Sequence, residues 1–205
     1  MNSWIEGTNR ICDWVAKLAW LNILWLLFSL LGLGLFGLMP STIAMFAVIR
    51  KWLQEEEVSD GKEFWRIYKK EFWRANLLGG GLALIGYLLY LNAQIFSTMD
   101  GMAFEVMSYI LVGFLGYQCL MLIYFFPLYA NYEFTFSQYL VYASSMIIYH
   151  PIRTAFSLAG CILLFFLYLS YPALLIFFSG SSIAFLLMWN AYGMILRFEQ
   201  INMRG

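Results

Sequence analysis

The sequence predicts an all-α polytopic membrane protein with about five transmembrane helices, interfacial amphipathic helices on the cytoplasmic side and a weak two-hairpin internal repeat. Of its 205 residues, 62% are hydrophobic and only 12% are charged. A soluble domain has about 25% charged residues, so this chain has too few charges to cover a water-facing surface. Several charge-free runs are also long enough to cross a bilayer, which takes about 20 mostly apolar residues. We therefore expect residues 1–205 to form a single integral membrane domain.

The first charge-free run, residues 18–49, is too long for one untilted spanning helix. A break is predicted at Gly37–Pro40, because glycine tolerates unusual dihedral angles and proline suits the first position of a helix. The sequence thus predicts a span over residues 18–38 and a new helix from Pro40 to about Gln54. The apolar run is too long for a cleaved signal peptide.

The remaining spans are predicted over residues 75–97, 106–130, 154–178 and 182–197. The last two come from one charge-free run, which is expected to turn at the Ser-Gly-Ser-Ser sequence of residues 179–182. Residues 134–150 are apolar but contain several polar side chains, and they form either a sixth span or a second interfacial helix. The similar layout after Pro40 and after Pro127 is the weak internal repeat, and it favours the interfacial alternative.

The distribution of Lys and Arg predicts the orientation, because these residues prefer the cytoplasmic side. Seven of the 12 lie between Arg50 and Arg74, which places this segment inside, whereas residues 75–152 contain none. Arg197 and Arg204 place the C-terminus inside as well. Five spans would put the N-terminus outside, although it would lie inside if the helix over residues 40–49 re-enters the membrane.

Residues 40–74 are predicted to form an amphipathic cytoplasmic segment. Asp60 and Glu63 have the spacing of an acidic capping box, and the helix that follows places its aromatic residues on one side. The opposite side carries the bases Lys62, Arg66, Lys69 and Lys70. A basic amphipathic helix beside a span is typical of one that lies in the headgroup plane, so we expect these bases to contact anionic lipid headgroups or a partner protein.

No catalytic, cofactor-binding or metal-binding residues are predicted, and the chain is not expected to be an enzyme. Gly32, Gly34 and Gly37 match the dinucleotide-binding pattern, but that motif works between a strand and a helix, whereas these residues lie in an apolar span. His150 is the only histidine of the sequence and has no nearby cysteine cluster. No carboxylate falls within a predicted span, which argues against ion-coupled transport. A net charge of zero gives no electrostatic reason to expect nucleic-acid binding.

Uncharged polar residues do occur within the predicted spans: Asn22, Ser29, Asn76, Asn92, Gln94, Gln118 and Asn190. They either form hydrogen bonds between helices, which is the commoner use of such residues, or line a path for an uncharged solute such as a sugar.

The stretch Phe36-Gly-Leu-Met-Pro-Ser-Thr-Ile-Ala-Met45, followed by Val48-Ile-Arg-Lys-Trp52, resembles the signature of the YesL-like family of bacterial integral membrane proteins, a family of unknown function. Ser41 stands where that family usually has alanine. The matching signature positions are Gly37, Pro40, Thr42, Ala44, Arg50, Lys51 and Trp52. The resemblance implies a small multi-pass protein of the cell membrane, often encoded near carbohydrate-uptake transporters of the ATP-binding-cassette class, and it brings no catalytic residues.

These observations favour a non-enzymatic accessory or regulatory partner of such an uptake system, with the lipid bilayer and the permease subunits of the transporter as its partners. The alternative is a small transporter or channel component for an uncharged solute such as a saccharide, which the polar residues within the spans would serve.

Overall fold

The structure, a computed structural model, describes the backbone of residues 2–202 and the side chains of residues 12–195. Over this part of the chain it is all-helical and contains no strand. The helices are α1 (Asn2–Leu31), α2 (Leu35–Leu53), α3 (Asp60–Ser97), α4 (Met102–Asn131), α5 (Phe136–Tyr149), α6 (Pro151–Ser170) and α7 (Pro172–Asn202). Five of them, α1, α3, α4, α6 and α7, are long and apolar enough to cross a membrane. The predicted all-α polytopic fold with about five spanning helices is therefore confirmed.

The short helix α2 lies at the centre of the fold. Residues 43–49 are all buried, so every face of this part of the helix contacts protein. Helices α1, α3, α4 and α7 pack around it. The amphipathic character predicted for residues 40–74 is therefore wrong for α2. Its run of apolar residues covers the whole circumference, which is typical of a buried helix.

The boundary between the first two helices lies earlier than Gly37–Pro40, so residues 18–38 do not form one helix. The chain turns at Leu33 and Gly34, which adopt φ angles of 60° and 74°. Pro40 lies inside α2, where its ring removes the hydrogen bond that Phe36 O would normally accept. Asn76 Nδ2 of α3 donates to Phe36 O instead, at 2.8 Å. A neighbouring helix thus satisfies the carbonyl that the proline leaves free, and α2 continues through it.

Helices α1 and α2 form an antiparallel hairpin. Near the turn, Ser29 Oγ and Ser41 Oγ are 2.7 Å apart. At the open end, the rings of Trp14 and Trp52 meet edge to face with centroids 5.9 Å apart. The beginning of α1 and the end of α2 therefore lie at the same end of the bundle.

Helix α3 is continuous over 38 residues, or about 57 Å, and includes both the charged segment and the second predicted span. Residues 60–74 are therefore not a separate helix but the first part of this long one, and their predicted position in the headgroup plane stays a prediction. The predicted capping box is wrong, because Ser59 is the N-cap and the Asp60 carboxylate accepts a hydrogen bond from Trp52 Nε1 at 2.9 Å. The sequence lacks a proline between residues 60 and 97, and the Gly79–Gly81 run stays helical.

The two-sided pattern at the start of α3 is nevertheless correct. Phe64, Tyr68 and Ala75 are buried, whereas the four predicted bases Lys62, Arg66, Lys69 and Lys70 are exposed. The apolar side packs on α1, where the ring of Phe28 lies 5.2 Å from the ring of Phe64. That side of the helix therefore packs against protein.

Helix α4 returns beside α3, and two hydrogen bonds tie them together: Ser108 Oγ donates to Ala93 O at 3.0 Å, and Gln118 Nε2 donates to Leu82 O at 2.6 Å. Helix α5 has 14 residues, about 21 Å, which is too short to cross the hydrocarbon core. Each short helix, α2 and α5, precedes a pair of long helices, which is the layout of the weak repeat. However, α2 is surrounded by helices, whereas α5 packs mainly on α4.

The last two long helices separate at Tyr171, where Pro172 begins α7. The turn predicted at residues 179–182 is therefore wrong, since these residues lie inside α7. Gly180 contacts α1 closely, because a Cβ atom there would lie 3.2 Å from Trp25. The glycine allows two helices to approach and does not end one. Arg204 and the side chain of Arg197, on which the predicted side of the C-terminus depends, lie outside the described residues.

Candidate functional site

A polar cavity of about 270 Å³ opens between α2, α3 and the C-terminal end of α4. Its apolar floor includes Ile43 and Ala47 of α2. Seven charged residues line it: Arg50, Glu63, Arg66, Lys70, Glu71, Arg74 and Glu133. Five of the seven lie on α3, where Glu63, Arg66, Lys70 and Arg74 follow at spacings of three or four residues that keep them near one side of the helix, and Glu71 lies beside Lys70. The cavity is the candidate functional site, because it gathers charged groups from separate segments of an otherwise apolar protein.

Each carboxylate of the polar cavity has a cationic neighbour. Glu63 Oε1 lies 3.3 Å from Lys51 Nζ and 2.5 Å from Arg66 Nη2. Lys70 Nζ lies 3.2 Å from Glu133 Oε1 and 3.6 Å from Glu71 Oε1. The three acids are thus compensated by Lys51, Arg66 and Lys70.

Glu71 is the most buried of these acids, with 8% of the residue exposed. Its second carboxylate oxygen accepts a hydrogen bond from the Tyr129 hydroxyl at 2.6 Å. This contact joins α3 to α4 at the back of the cavity, and it leaves the carboxylate engaged on both oxygens.

Arg50 and Arg74 are held differently, on backbone carbonyls. Arg50 Nη1 donates to Ala130 O, and Arg74 Nη2 donates to Phe134 O at 2.8 Å. The Arg74 guanidinium also lies 5.4 Å from the centre of the Tyr129 ring. Among residues 12–195, no carboxylate oxygen lies within 4 Å of either guanidinium. Arg50 Nε is buried and makes no hydrogen bond within that part of the chain.

The segment that carries these carbonyls is fixed by Tyr139 of α5. Its hydroxyl donates to Tyr132 O at 2.6 Å and accepts from Phe134 N at 3.1 Å. Burial raises the pKa of the Tyr139 phenol, so the hydroxyl stays a neutral donor at physiological pH. Its ring also stacks on Tyr129 with centroids 5.3 Å apart. The two arginines therefore bind to a segment of backbone that Tyr139 holds in place.

An apolar cavity of about 240 Å³ lies along the same seam between α2, α3 and α4. Ile43 lines both cavities, so they are neighbours. On α3 the apolar cavity is bordered by small residues, among them Ala75, Gly79 and Ala83. Gln118 also borders it, and its Oε1 atom is buried without a hydrogen-bond partner in the described part of the structure.

The predicted signature residues all lie on α2, and most of them pack it. Gly37, Pro40 and Ala44 are buried. Thr42 accepts a hydrogen bond from Trp25 Nε1 at 3.0 Å and donates to Leu38 O at 2.7 Å. Trp52 and Lys51 join α2 to α3 through Asp60 and Glu63. Of the seven residues, Arg50 alone lines the polar cavity.

The four predicted bases of the cytoplasmic helix divide into two pairs. Arg66 and Lys70 line the polar cavity, and their side chains are 66% and 63% exposed, so they stand at its mouth. Lys62 and Lys69 are exposed outside the cavity, and Lys69 Nζ lies 4.8 Å from the centre of the Trp65 ring. The structure therefore brings two of the four into the candidate site.

The polar residues within the predicted spans form hydrogen bonds inside the protein. Asn22 is fully buried: its Nδ2 donates to Ile176 O at 2.7 Å, and its Oδ1 accepts from Gly180 N and Ser181 N. Asn190 Nδ2 donates to Arg153 O and to Ser157 Oγ. The other donors among Asn76, Asn92, Gln94 and Gln118 also have partners. Five of the seven residues bond to another helix and match the packing interpretation, whereas Asn92 and Gln94 bond within α3.

Sequence reasoning missed Arg74, Glu71, Tyr129 and Glu133 as members of the site. Glu71 offered a signal, because it falls near the apolar side of the predicted helix where a carboxylate is out of pattern. Tyr129 and Glu133 come from a distant segment, and nothing in the local pattern predicts that they meet α3. No group of three or more His, Cys, Asp or Glu residues that could hold a metal ion occurs in the described portion.

Comparison with known proteins finds a match to the family model described as "Protein of unknown function, DUF624", over residues 18–93. This region covers the hairpin of α1 and α2 and most of α3. YteU, an uncharacterized protein of Bacillus subtilis (strain 168), is 39% identical over 93% of this chain and 86% of its own length. Two further relatives are uncharacterized proteins of the same organism. YesV is 38% identical over 88% of this chain and 87% of its own length. YesL is 32% identical over 91% of this chain and 88% of its own length. No solved structure matches the chain.

Proposed function

Since the chain belongs to the DUF624 family of proteins of unknown function, together with YteU, YesV and YesL, we propose that it is an accessory or regulatory partner of a carbohydrate-uptake system of the ATP-binding-cassette class. In this proposal it acts without catalysing a reaction, without a cofactor and without nucleic acid. The observation that carries the proposal is the concentration of exposed charge beside the polar cavity, on a protein with only 12% charged residues.

We define the basic face as the exposed side chains of Lys62, Arg66, Lys69 and Lys70 at the start of α3. By the preference of Lys and Arg for the cytoplasm, this face and the C-terminus lie on the cytoplasmic side. A cytoplasmic charged face beside spanning helices suits contact with the cytoplasmic loops of permease subunits, as well as with anionic headgroups.

The alternative, a small transporter or channel component for an uncharged solute, needs free polar groups along a path through the membrane. The amides of Asn22 and Asn190 are instead bonded to neighbouring helices. This use of the polar residues favours the accessory role.

The proposal is tested by crosslinking in living cells from the basic face. A photo-crosslinking amino acid is placed at Lys62 or at Lys69, and the adducts are identified by mass spectrometry. Leu163 of α6, which is 70% exposed on an apolar helix, is the matched control position. Permease or ATPase subunits of an uptake transporter are expected from the basic face and not from residue 163. Adducts without any transporter subunit above the residue 163 control would contradict the proposal.

A further inference from the structure

We propose that the seam between α2, α3 and α4 binds one phosphate-bearing lipid, with the headgroup phosphate in the polar cavity and an acyl chain in the apolar cavity. The proposal concerns a site inside the protein and does not depend on a transporter partner.

The charge of the polar cavity calls for an anion. Its three carboxylates are paired with lysine or arginine, whereas Arg50 and Arg74 meet only carbonyl oxygens and an aromatic ring within the described residues. Guanidinium groups present several N–H donors in a fixed planar arrangement that matches phosphate oxygens. The buried Arg50 Nε, which lacks a hydrogen-bond partner in the described part of the chain, is a donor that such an oxygen would satisfy.

The apolar cavity favours a lipid over a free phosphate compound. It adjoins the polar cavity at Ile43 and lies on the same three helices. A soluble phosphate would occupy only the charged half and leave the neighbouring apolar cavity empty. A lipid fills both halves, because its phosphate and its acyl chain are joined in one molecule.

The position of the seam along α3 also matches a lipid. Arg74 is the last charged residue before the charge-free run that begins at Ala75. Lipid phosphates lie at the boundary between charged and apolar protein surface, since basic residues near the ends of spanning segments contact the headgroup region. The polar cavity is on the charged side of this boundary and the apolar cavity on the other.

The test titrates the purified full-length protein in a phosphate-free maltoside detergent with phosphatidylglycerol, and native mass spectrometry counts the bound lipid. We expect one saturable lipid per chain. Arg74→Gln should weaken binding about tenfold or more, the usual effect of removing a charged hydrogen-bond partner, whereas Arg74→Lys should weaken it less. Ala83→Phe, which places a ring at the apolar cavity, should weaken lipid binding as well.

The matched controls are Lys62→Gln, which removes one exposed positive charge of α3 outside the cavity, and Leu84→Phe, which adds a ring at an exposed position outside the apolar cavity. Equal lipid retention by wild type, Arg74→Gln and Lys62→Gln would overturn the proposal. So would binding of glycerol phosphate as tight as that of phosphatidylglycerol and unchanged in Ala83→Phe, since the ligand would then be a soluble phosphate. If Arg74→Gln does not fold, Arg74→Lys and Ala83→Phe decide the result. Because the assay contains no transporter, its outcome is separate from that of the crosslinking experiment.

Discussion

Gly37 illustrates how single residues hold the α1–α2 hairpin closed. A Cβ atom at this position would meet the carbonyl oxygens of Ser29 and Phe28, the latter at 2.7 Å. Both oxygens belong to the backbone of α1, which cannot move aside as a flexible side chain can. Only glycine therefore permits the close approach of the two helices just beyond the turn.

Gly37→Ala is expected to destabilise the protein by about 1–3 kcal/mol, the usual cost of forcing an extra carbon into a packed contact. Thermal unfolding of the purified protein in detergent measures the effect. Gly80→Ala is the matched control, since a Cβ atom there has no neighbour within 4 Å and alanine is the better helix former by about 0.5–1 kcal/mol. An unchanged unfolding temperature in Gly37→Ala would contradict the close approach seen here.

Asn22 is the main polar link between α1 and α7, with hydrogen bonds to three backbone groups of α7. Asn22→Ala is expected to cost about 2 kcal/mol, because hydrogen bonds between membrane helices contribute about 0.6 kcal/mol each on average and three α7 groups lose their partner. Thermal unfolding again reports the change. The control is Asn92→Ala, since Asn92 is exposed and donates only to Leu88 O of its own helix. An equal loss of stability in Asn22→Ala and Asn92→Ala would argue against a hydrogen-bonded link between α1 and α7.

At the scale of elements, the continuity of α3 has the largest consequence. A single continuous helix carries the charged residues of the polar cavity at one end, and its other end is an apolar segment long enough to cross a membrane. Packing of Phe64 and Tyr68 against α1 keeps the charged end in line with the rest of the helix.

The continuity is tested by spin labels at Lys62 and Leu84, both of which are exposed. In a straight helix their backbones are about 33 Å apart, whereas a right-angle bend near residue 75 would shorten this to about 24 Å. Pulsed electron–electron double resonance between the two labels distinguishes these distances. A distribution centred on the shorter value would show an interfacial helix followed by a separate span.

The comparison of sequence with structure shows which elements local patterns determine. The long apolar runs predicted the five spanning helices, because length and absence of charge are properties of a segment alone. The ends of α1 and α6 were predicted too late in the sequence, at residues 38 and 178 rather than Leu31 and Ser170. Whether a proline or a glycine ends a helix depends on the neighbouring helices, which the local sequence does not show. Pro40 lies inside α2, where Asn76 satisfies the free Phe36 O, and Gly180 lies inside α7, where it packs against α1.

Only part of the candidate site is visible in local sequence patterns. The position of Glu71 on the apolar side of its helix was visible in the sequence, and so were Arg66 and Lys70 as exposed bases. The contact of Arg50 with Ala130, 80 residues away, was not. It depends on how α4 packs against α2, and no local spacing contains that information.

At the scale of the whole molecule, the hairpin of α1 and α2 changes the topology expected from five spans. Five crossings put the N-terminus opposite the basic segment. In the structure, Trp14 instead packs against Trp52, and Lys17 Nζ lies 5.9 Å from the centre of the same Trp52 ring. The chain thus returns along α2 to the end at which α1 begins, and residues 14–17 share a side with the basic face. This arrangement also places Lys17 at the same end of the bundle as the other bases, which agrees with the preference of Lys and Arg for one side of the membrane.

The topology predicts that Cys12, which is exposed, and a cysteine introduced by Lys62→Cys react from the same side of the membrane, while one introduced by Asp100→Cys reacts from the opposite side. Asp100 lies between α3 and α4, at the far end of the continuous α3 from the basic face. A membrane-impermeant thiol reagent is applied to intact cells and then to inside-out vesicles. Cysteines 119 and 161 are replaced by alanine so that each protein carries one reactive thiol, and Cys12 is replaced as well where another position is probed. Labelling of Asp100→Cys in cells, together with labelling of Cys12 and Lys62→Cys only in vesicles, is the expected result. Reaction of Cys12 on the same side as Asp100→Cys would mean that α2 does not return across the membrane after α1. That result would contradict the contact of Trp14 with Trp52.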